Sequence, residues 1–88
     1  MIEKKLYISE NCVSEKLENE LIILDLGSGL YHSLNETGSI IWQEIENKNP
    51  SCEDLKTIIS QQFHGKDITN DCDSFVDELT RKKLIFLK

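Results

Sequence analysis

The sequence has few of the residues that build disulfide-rich, zinc-binding or cysteine-dependent catalytic domains. Its three cysteines, Cys12, Cys52 and Cys72, are an odd number, and no two of them form a Cys-x-x-Cys pair. Disulfide frameworks and structural zinc sites normally need paired or closely spaced ligands. The only histidines are His32 and His64, and no sequence pattern places either beside a cysteine. We therefore expect reduced cysteines, no metal site, no catalytic residues and no cofactor.

Long apolar runs and an excess of basic charge are also missing. No run approaches the ~20 apolar residues that span a bilayer, and the first ten residues lack the apolar segment of a signal peptide. Acidic side chains outnumber basic ones 16 to 10, which gives a formal charge of −6. This balance disfavours nucleic-acid binding, which needs a basic face, and docking on an anionic membrane. The composition predicts a cytoplasmic protein without nucleic-acid or membrane partners.

Proline and glycine are scarce, so the few present mark informative breaks. Pro50 is the only proline. It ends a helix predicted from Glu36 to about Asn47, because proline has no N–H donor and restricts the preceding residue. The Gly-Ser-Gly run at residues 27–29 supplies the turn of a β-hairpin, since glycine adopts a positive φ readily.

Three antiparallel strands are predicted before the first helix, over residues 12–17, 21–26 and 30–34. In the third strand Leu30, His32 and Leu34 alternate with Tyr31 and Ser33, so the two sets should face opposite sides of the sheet. The apolar segments at residues 6–8 and 84–87 are expected to pack against the domain, without an assigned strand. Three strands are about the minimum for a sheet with one buried face.

Three helices are predicted to follow the strands. Asn35 caps the first, in which Trp42 is expected to be a core residue, and Ser51 caps the second. The apolar stripe of the second helix comprises Leu55, Ile58, Ile59 and Phe63, and His64-Gly65 is expected to end it. The stripe of the third helix comprises Cys72, Phe75, Val76 and Leu79. The pattern predicts a single α+β domain over residues 1–88, with its core at about 12–87.

Two segments carry a resemblance to a known family. The first is Leu-Asn-Glu-Thr-Gly at residues 34–38, followed by Ile41-Trp42. The second is Phe-Val-Asp-Glu-Leu at residues 75–79, followed by Leu84-Ile85. With this order of elements, residues 13–86 resemble the PqqD-like family, also called RiPP recognition elements. The resemblance implies a winged helix-turn-helix fold, in which a three-stranded antiparallel sheet precedes three helices.

The resemblance also implies a function. Family members are non-catalytic adaptors that hold the leader of a ribosomally made precursor peptide and present it to a maturation enzyme, whether a protease, a cyclase or a radical enzyme. Free-standing domains of this size serve lasso-peptide pathways and others, so the pathway stays open. The leader is expected to add as a strand to residues 30–33, against the third helix. The peptide-binding residues implied by position are Leu30, Tyr31, His32, Ser33, Phe75, Glu78, Leu79 and Lys82. The sequence does not decide which of the helix residues face the groove and which face the core.

The sequence departs from the family pattern near the end of the third helix. The family places glycine before the closing apolar pair, whereas this chain has Lys83. Lysine tolerates the left-handed conformation poorly. We therefore expect the third helix to run longer, or to end without a left-handed cap.

The alternative function is that of a winged-helix DNA-binding regulator, which has the same architecture. Such a protein presents lysine and arginine on its recognition helix. The second helix offers only Lys56, and the basic residues of the third lie at one end, after four acidic residues between 71 and 78. The charge pattern therefore favours peptide binding over DNA binding.

Overall fold

The computed structural model describes residues 4–62 and 69–88. Five strands and three helices follow one another along this part of the chain. They are β1 (Leu6–Ile8), β2 (Cys12–Lys16), β3 (Leu21–Asp25), β4 (Leu30–Leu34), α1 (Glu36–Lys48), α2 (Cys52–Gln62), α3 (Thr69–Arg81) and β5 (Ile85–Leu87). The predicted Phe63 of the second helix and its predicted end at His64-Gly65 lie outside the described residues.

The larger sheet is antiparallel and has the strand order β2-β3-β4, which confirms the predicted three strands. Leu21, Ile23 and Leu34 turn to its buried face, while Tyr31 and Ser33 are exposed on the other face. The predicted alternation along β4 is therefore correct. Helix α1 packs against β4, so the first helix covers the inner face of the sheet.

A second, two-stranded sheet pairs β1 with β5, and neither strand was predicted. The Leu6 N–H donates to the carbonyl oxygen of Pro50 at 2.8 Å, which ties β1 to the α1–α2 connection. The Leu6 side chain is completely buried. The core therefore extends beyond the boundary near residue 12 that the sequence predicts.

The ends of α1 and α2 follow the predicted caps. The Asn35 side-chain oxygen accepts the Gly38 N–H at 2.8 Å, and the Ser51 hydroxyl oxygen accepts the Asp54 N–H at 3.1 Å. Helix α1 ends because Asn49 is left-handed, with φ 45°. Each cap satisfies a backbone group that would otherwise have no partner at the helix end.

One hydrophobic core joins the two sheets to the helices. Trp42 is completely buried within it, as predicted. The other buried apolar residues are Leu6, Leu21, Ile23, Leu34, Ile41, Ile45, Leu55, Ile59, Cys72, Leu79, Leu84 and Ile85. This core holds α1 against the sheet and α3 against α2 and β5.

The end of α3 contradicts the expectation drawn from Lys83. Lys83 is left-handed, with φ 61°, and helix α3 ends at Arg81. The Leu84 N–H donates to Leu79 O, and the Lys83 N–H donates to Thr80 O, both at 3.0 Å. These two bonds define a Schellman cap. The cap places Leu84 in the core, and this burial offsets the strain of about 1–2 kcal/mol at the lysine.

Candidate functional site

The hydrogen bonds at the two ends of the β2–β3 hairpin fix which way the backbone of β3 points. The Leu17 N–H donates to Glu20 O at 2.8 Å, and the Leu26 N–H donates to Asn11 O at 2.8 Å. Backbone groups alternate between the two neighbours of an antiparallel strand. The even-numbered residues of β3 therefore bond to β2, and its odd-numbered residues bond to β4.

The same alternation identifies the unpaired groups of β4. His32 lies opposite Ile23, so the backbone groups of His32 point toward β3. The N–H and C=O groups of Tyr31 and Ser33 consequently point away from the sheet. Within the described part of the chain, no strand pairs with that edge. Such groups can template another strand.

The two edges of this sheet differ in how they are protected. Edge strands usually carry charged residues that block pairing with another chain. Strand β2 has Glu15 and Lys16 within its five residues, whereas β4 reads Leu-Tyr-His-Ser-Leu and has no Lys, Arg, Asp or Glu. The edge of β4 is therefore the one that is open to strand addition.

The side chains of β4 line both faces of the open edge. Tyr31 is 71% exposed, Leu30 is 59% exposed on the inner side, and His32 is half-buried on that side. Ser33 is exposed, and its hydroxyl donates to a Glu20 carboxylate oxygen at 3.1 Å. An added strand would thus meet apolar side chains near the hairpin turn and polar ones near α1.

Helix α3 contacts the first turn of α1, which directly follows β4, through one aromatic residue. Phe75 is half-buried and lies against Gly38, in the first turn of α1. Next to this contact is a pocket of about 220 Å³, lined by Asn35, Thr37, Gly38, Ile41 and Phe75. The pocket has room for an apolar side chain, and one of its lining residues, Asn35, directly follows β4.

The other residues that the sequence predicted on the third helix separate into two groups, and one of these residues, Lys82, directly follows the end of α3. Glu78 and Lys82 are exposed and paired, with Lys82 Nζ 2.9 Å from Glu78 Oε1. The hydrogen bond from Lys82, together with its charge, lowers the pKa of Glu78. Leu79 is only 3% exposed and packs in the core. It positions the helix and has almost no surface to offer a ligand.

Sequence reasoning did not assign a site role to Asn35, Thr37, Gly38 or Ile41, which line the pocket with Phe75. A signal was present, because a glycine inside a helix lowers stability by about 1 kcal/mol relative to alanine and usually has a packing reason. Gly38 has such a reason in its contact with Phe75.

A second cleft, of about 270 Å³, lies between α2 and α3. It is crossed by an ion pair in which Lys56 Nζ lies 3.0 Å from Asp73 Oδ1. Over residues 4–62 and 69–88, no group of three or more His, Cys, Asp or Glu side chains is arranged to hold a metal ion. In the same residues no helix has the length and apolar character needed to cross a bilayer.

The strand order and the three helices define a winged-helix-like α+β domain, in which β4 is the sheet edge without charged residues. The family model of coenzyme PQQ synthesis protein D (PqqD) matches residues 20–85, and the chain therefore belongs to the PqqD family. This confirms the family and the fold that the sequence indicated.

Among solved structures the chain is similar to TbiB1 in complex with the TbiA(beta) leader peptide. The TM-score is 0.78 at 27% sequence identity, and the match covers 90% of this chain and 93% of that one. No curated protein matches the chain.

Proposed function

We propose that this protein is a non-catalytic adaptor of the cytoplasm, which binds the leader of a ribosomally made precursor peptide. The leader adds as a strand to β4, and the adaptor presents it to a separate modifying enzyme or protease. Membership of the PqqD family supports this proposal, as does the likeness to a protein that holds a leader peptide. The observation that carries it is the edge of β4, which has no charged residue and, within the described part of the chain, no partner strand.

The geometry supports different roles for the backbone and the side chains in binding the leader. In strand addition, main-chain hydrogen bonds supply affinity and side-chain pockets supply selectivity. Tyr31 and Ser33 offer the outward backbone groups, while Phe75 and the pocket at Gly38 offer an apolar contact. Leu30, His32, Glu78 and Lys82 border the same groove in the proposal.

The surroundings of Cys12 and Cys72 support a role in which neither thiol takes part in covalent catalysis. Burial raises the pKa of the Cys72 thiol, and the nearby Asp73 charge raises it further. Burial also raises the pKa of Cys12, with a smaller contribution from Asp25. Since the thiolate is the nucleophile, both groups are poor nucleophiles near neutral pH.

The charged residues of α2 and α3 favour a peptide over DNA as the ligand. Lys56 is the only basic residue of α2, and it is paired with Asp73. Arg81 is the only basic residue within α3, in its last turn. A winged-helix DNA reader needs several free cations on its recognition helix.

The proposal is tested by first searching the open reading frames beside its gene for a short precursor peptide, and then titrating the full chain into the fluorescein-labelled leader of any precursor found there. Fluorescence anisotropy should saturate at micromolar concentration or below, and a labelled DNA duplex should not bind at moderate salt. Amide hydrogen exchange should slow at residues 30–33 and 75–82 when the leader is added. Protection confined to α2 near Leu55 would place the peptide in the second cleft instead. Duplex binding that falls steeply with added salt would contradict the proposal.

A further inference from the structure

An apolar row crosses the outer face of the β2-β3-β4 sheet and ends at its open edge. Val13 lies opposite Leu24, and Leu24 lies opposite Tyr31. These three side chains share the face that α1 does not cover, because residues in register on neighbouring strands point to the same side. Val13 is 55% and Tyr31 is 71% exposed. The row therefore exposes the Tyr31 ring at the edge of β4, where we propose that the leader adds as a strand.

The adjacent row on the same face has a different character. It runs from Glu15 through Ile22 to Ser33. Its edge position is polar, because the Ser33 hydroxyl is bonded to the Glu20 carboxylate. The outer face of the edge thus changes from aromatic at Tyr31 to acidic and polar at Ser33.

We propose that Tyr31 selects a large apolar or aromatic leader residue on this outer face, on the side of the sheet away from α1. The inference rests on the proposed strand addition to β4. A leader residue directly opposite Tyr31 would place its Cβ about 4.5–5.5 Å from the tyrosine Cβ. There it extends the row of Val13, Leu24 and Tyr31 and covers the exposed ring. This contact is separate from any side chain that the leader places in the pocket at Phe75.

The chemistry predicted for the leader differs between its two outward positions. Opposite Tyr31, aromatic and branched apolar side chains pair favourably across strands. Two residues away, opposite Ser33, an apolar side chain gains nothing beside the Glu20 carboxylate, and a polar or basic one fits. The spacing of two holds whether the leader runs parallel or antiparallel to β4.

The test uses the full chain as bait for a displayed library of random 14-residue peptides. Selections are run in parallel on the wild type, on Tyr31→Glu and on Val13→Glu. Val13 is the matched control, because it lies on the same row and face but two strands from the edge. Hydrogen exchange on β4 establishes that the enriched peptides bind at this strand.

The wild-type pool should carry an apolar or aromatic residue at one position, and the Tyr31→Glu pool should carry Lys or Arg there. The Val13→Glu pool should match the wild type. In one selected peptide, Ala at that position should weaken wild-type binding by about fivefold. Tyr31→Glu should make that loss disappear.

The two proposals fail in different ways. Identical patterns in the wild-type and Tyr31→Glu pools, from peptides that protect β4, would overturn the role of Tyr31 and leave strand addition standing. Enriched peptides that leave β4 unprotected would overturn strand addition, and the role of Tyr31 with it.

Discussion

Gly38 and Phe75 are in contact at a distance that no larger residue at position 38 allows without a shift. A Cβ atom added to Gly38 would lie 3.1 Å from Phe75 Cε1 and 3.2 Å from Cζ. The same glycine donates its N–H to the Asn35 cap. Gly38 therefore connects the first turn of α1 to α3 at the α1 end of the proposed groove.

We expect Gly38→Ala to weaken leader binding more than it changes stability. The Cβ displaces the Phe75 ring by a few tenths of an ångström, while the change from glycine returns up to about 1 kcal/mol of helix propensity. Leader affinity is measured by anisotropy and unfolding by urea. Phe75→Leu removes the clashing ring, so the two changes should be strongly non-additive. Additive effects on binding would show that the contact does not shape the groove.

The elements fixed by local chemistry were predictable. Asn35 and Ser51 cap their helices with side chains that lie three residues from the groups they bond. Pro50 lies between α1 and α2, and the Gly-Ser-Gly run lies in the turn between β3 and β4, as expected. The proposed groove rests on the family resemblance, because no short-range pattern in the sequence encodes it.

The features that were missed depend on residues distant in sequence. Strands β1 and β5 have three residues each and pair across most of the chain, so neither shows a period of its own. The left-handed Lys83 is explained only by the burial of Leu84, which tertiary packing decides. The outward direction of Ser33 follows from the register of the whole sheet, which a single strand does not reveal.

Trp42 is predicted to support folding and not to contact the leader. Its side chain is completely buried, and truncating a buried tryptophan costs roughly 3–5 kcal/mol out of a typical total of about 5–15. Circular dichroism during urea unfolding should show Trp42→Ala to be largely unfolded or severely destabilised. Tyr31→Ala, at an exposed position, should lose less than about 0.5 kcal/mol. A stable Trp42→Ala protein with lost leader binding would place the tryptophan in the groove instead.

Lys83→Gly is predicted to stabilise the protein by about 1 kcal/mol, because glycine adopts the left-handed conformation without the cost that a lysine incurs. Asn49→Gly is the matched comparison, since Asn49 is also left-handed. Its amide donates to Leu6 O at 3.2 Å and Ile45 O at 3.3 Å, so its loss should not stabilise. Urea midpoints measure both changes. Equal stabilisation by the two variants would show that the conformation alone, and not these bonds, decides the outcome.

Proline substitutions should separate the outward N–H groups of β4 from those bonded within the sheet. Ser33→Pro removes an outward donor, so the protein should fold while leader affinity falls by roughly tenfold. His32→Pro removes a donor directed at β3 and should disrupt the hairpin. Circular dichroism is measured first, and leader binding only for the folded variants.

Ser14→Pro provides the matched control on the opposite edge. Ser14 lies opposite Ile23. The backbone groups of Ile23 point toward β4, so they do not bond to Ser14. The Ser14 N–H therefore points away from β3 and out of the sheet. This variant should suffer a similar loss of stability to Ser33→Pro and keep full leader affinity. If Ser14→Pro weakens binding as much as Ser33→Pro, the loss comes from general damage to the sheet. If neither weakens it, the leader does not take a hydrogen bond from the Ser33 N–H, and Tyr31→Pro then tests the other outward donor of β4. No loss of affinity in either β4 variant would show that the leader takes no hydrogen bond from an N–H at this edge.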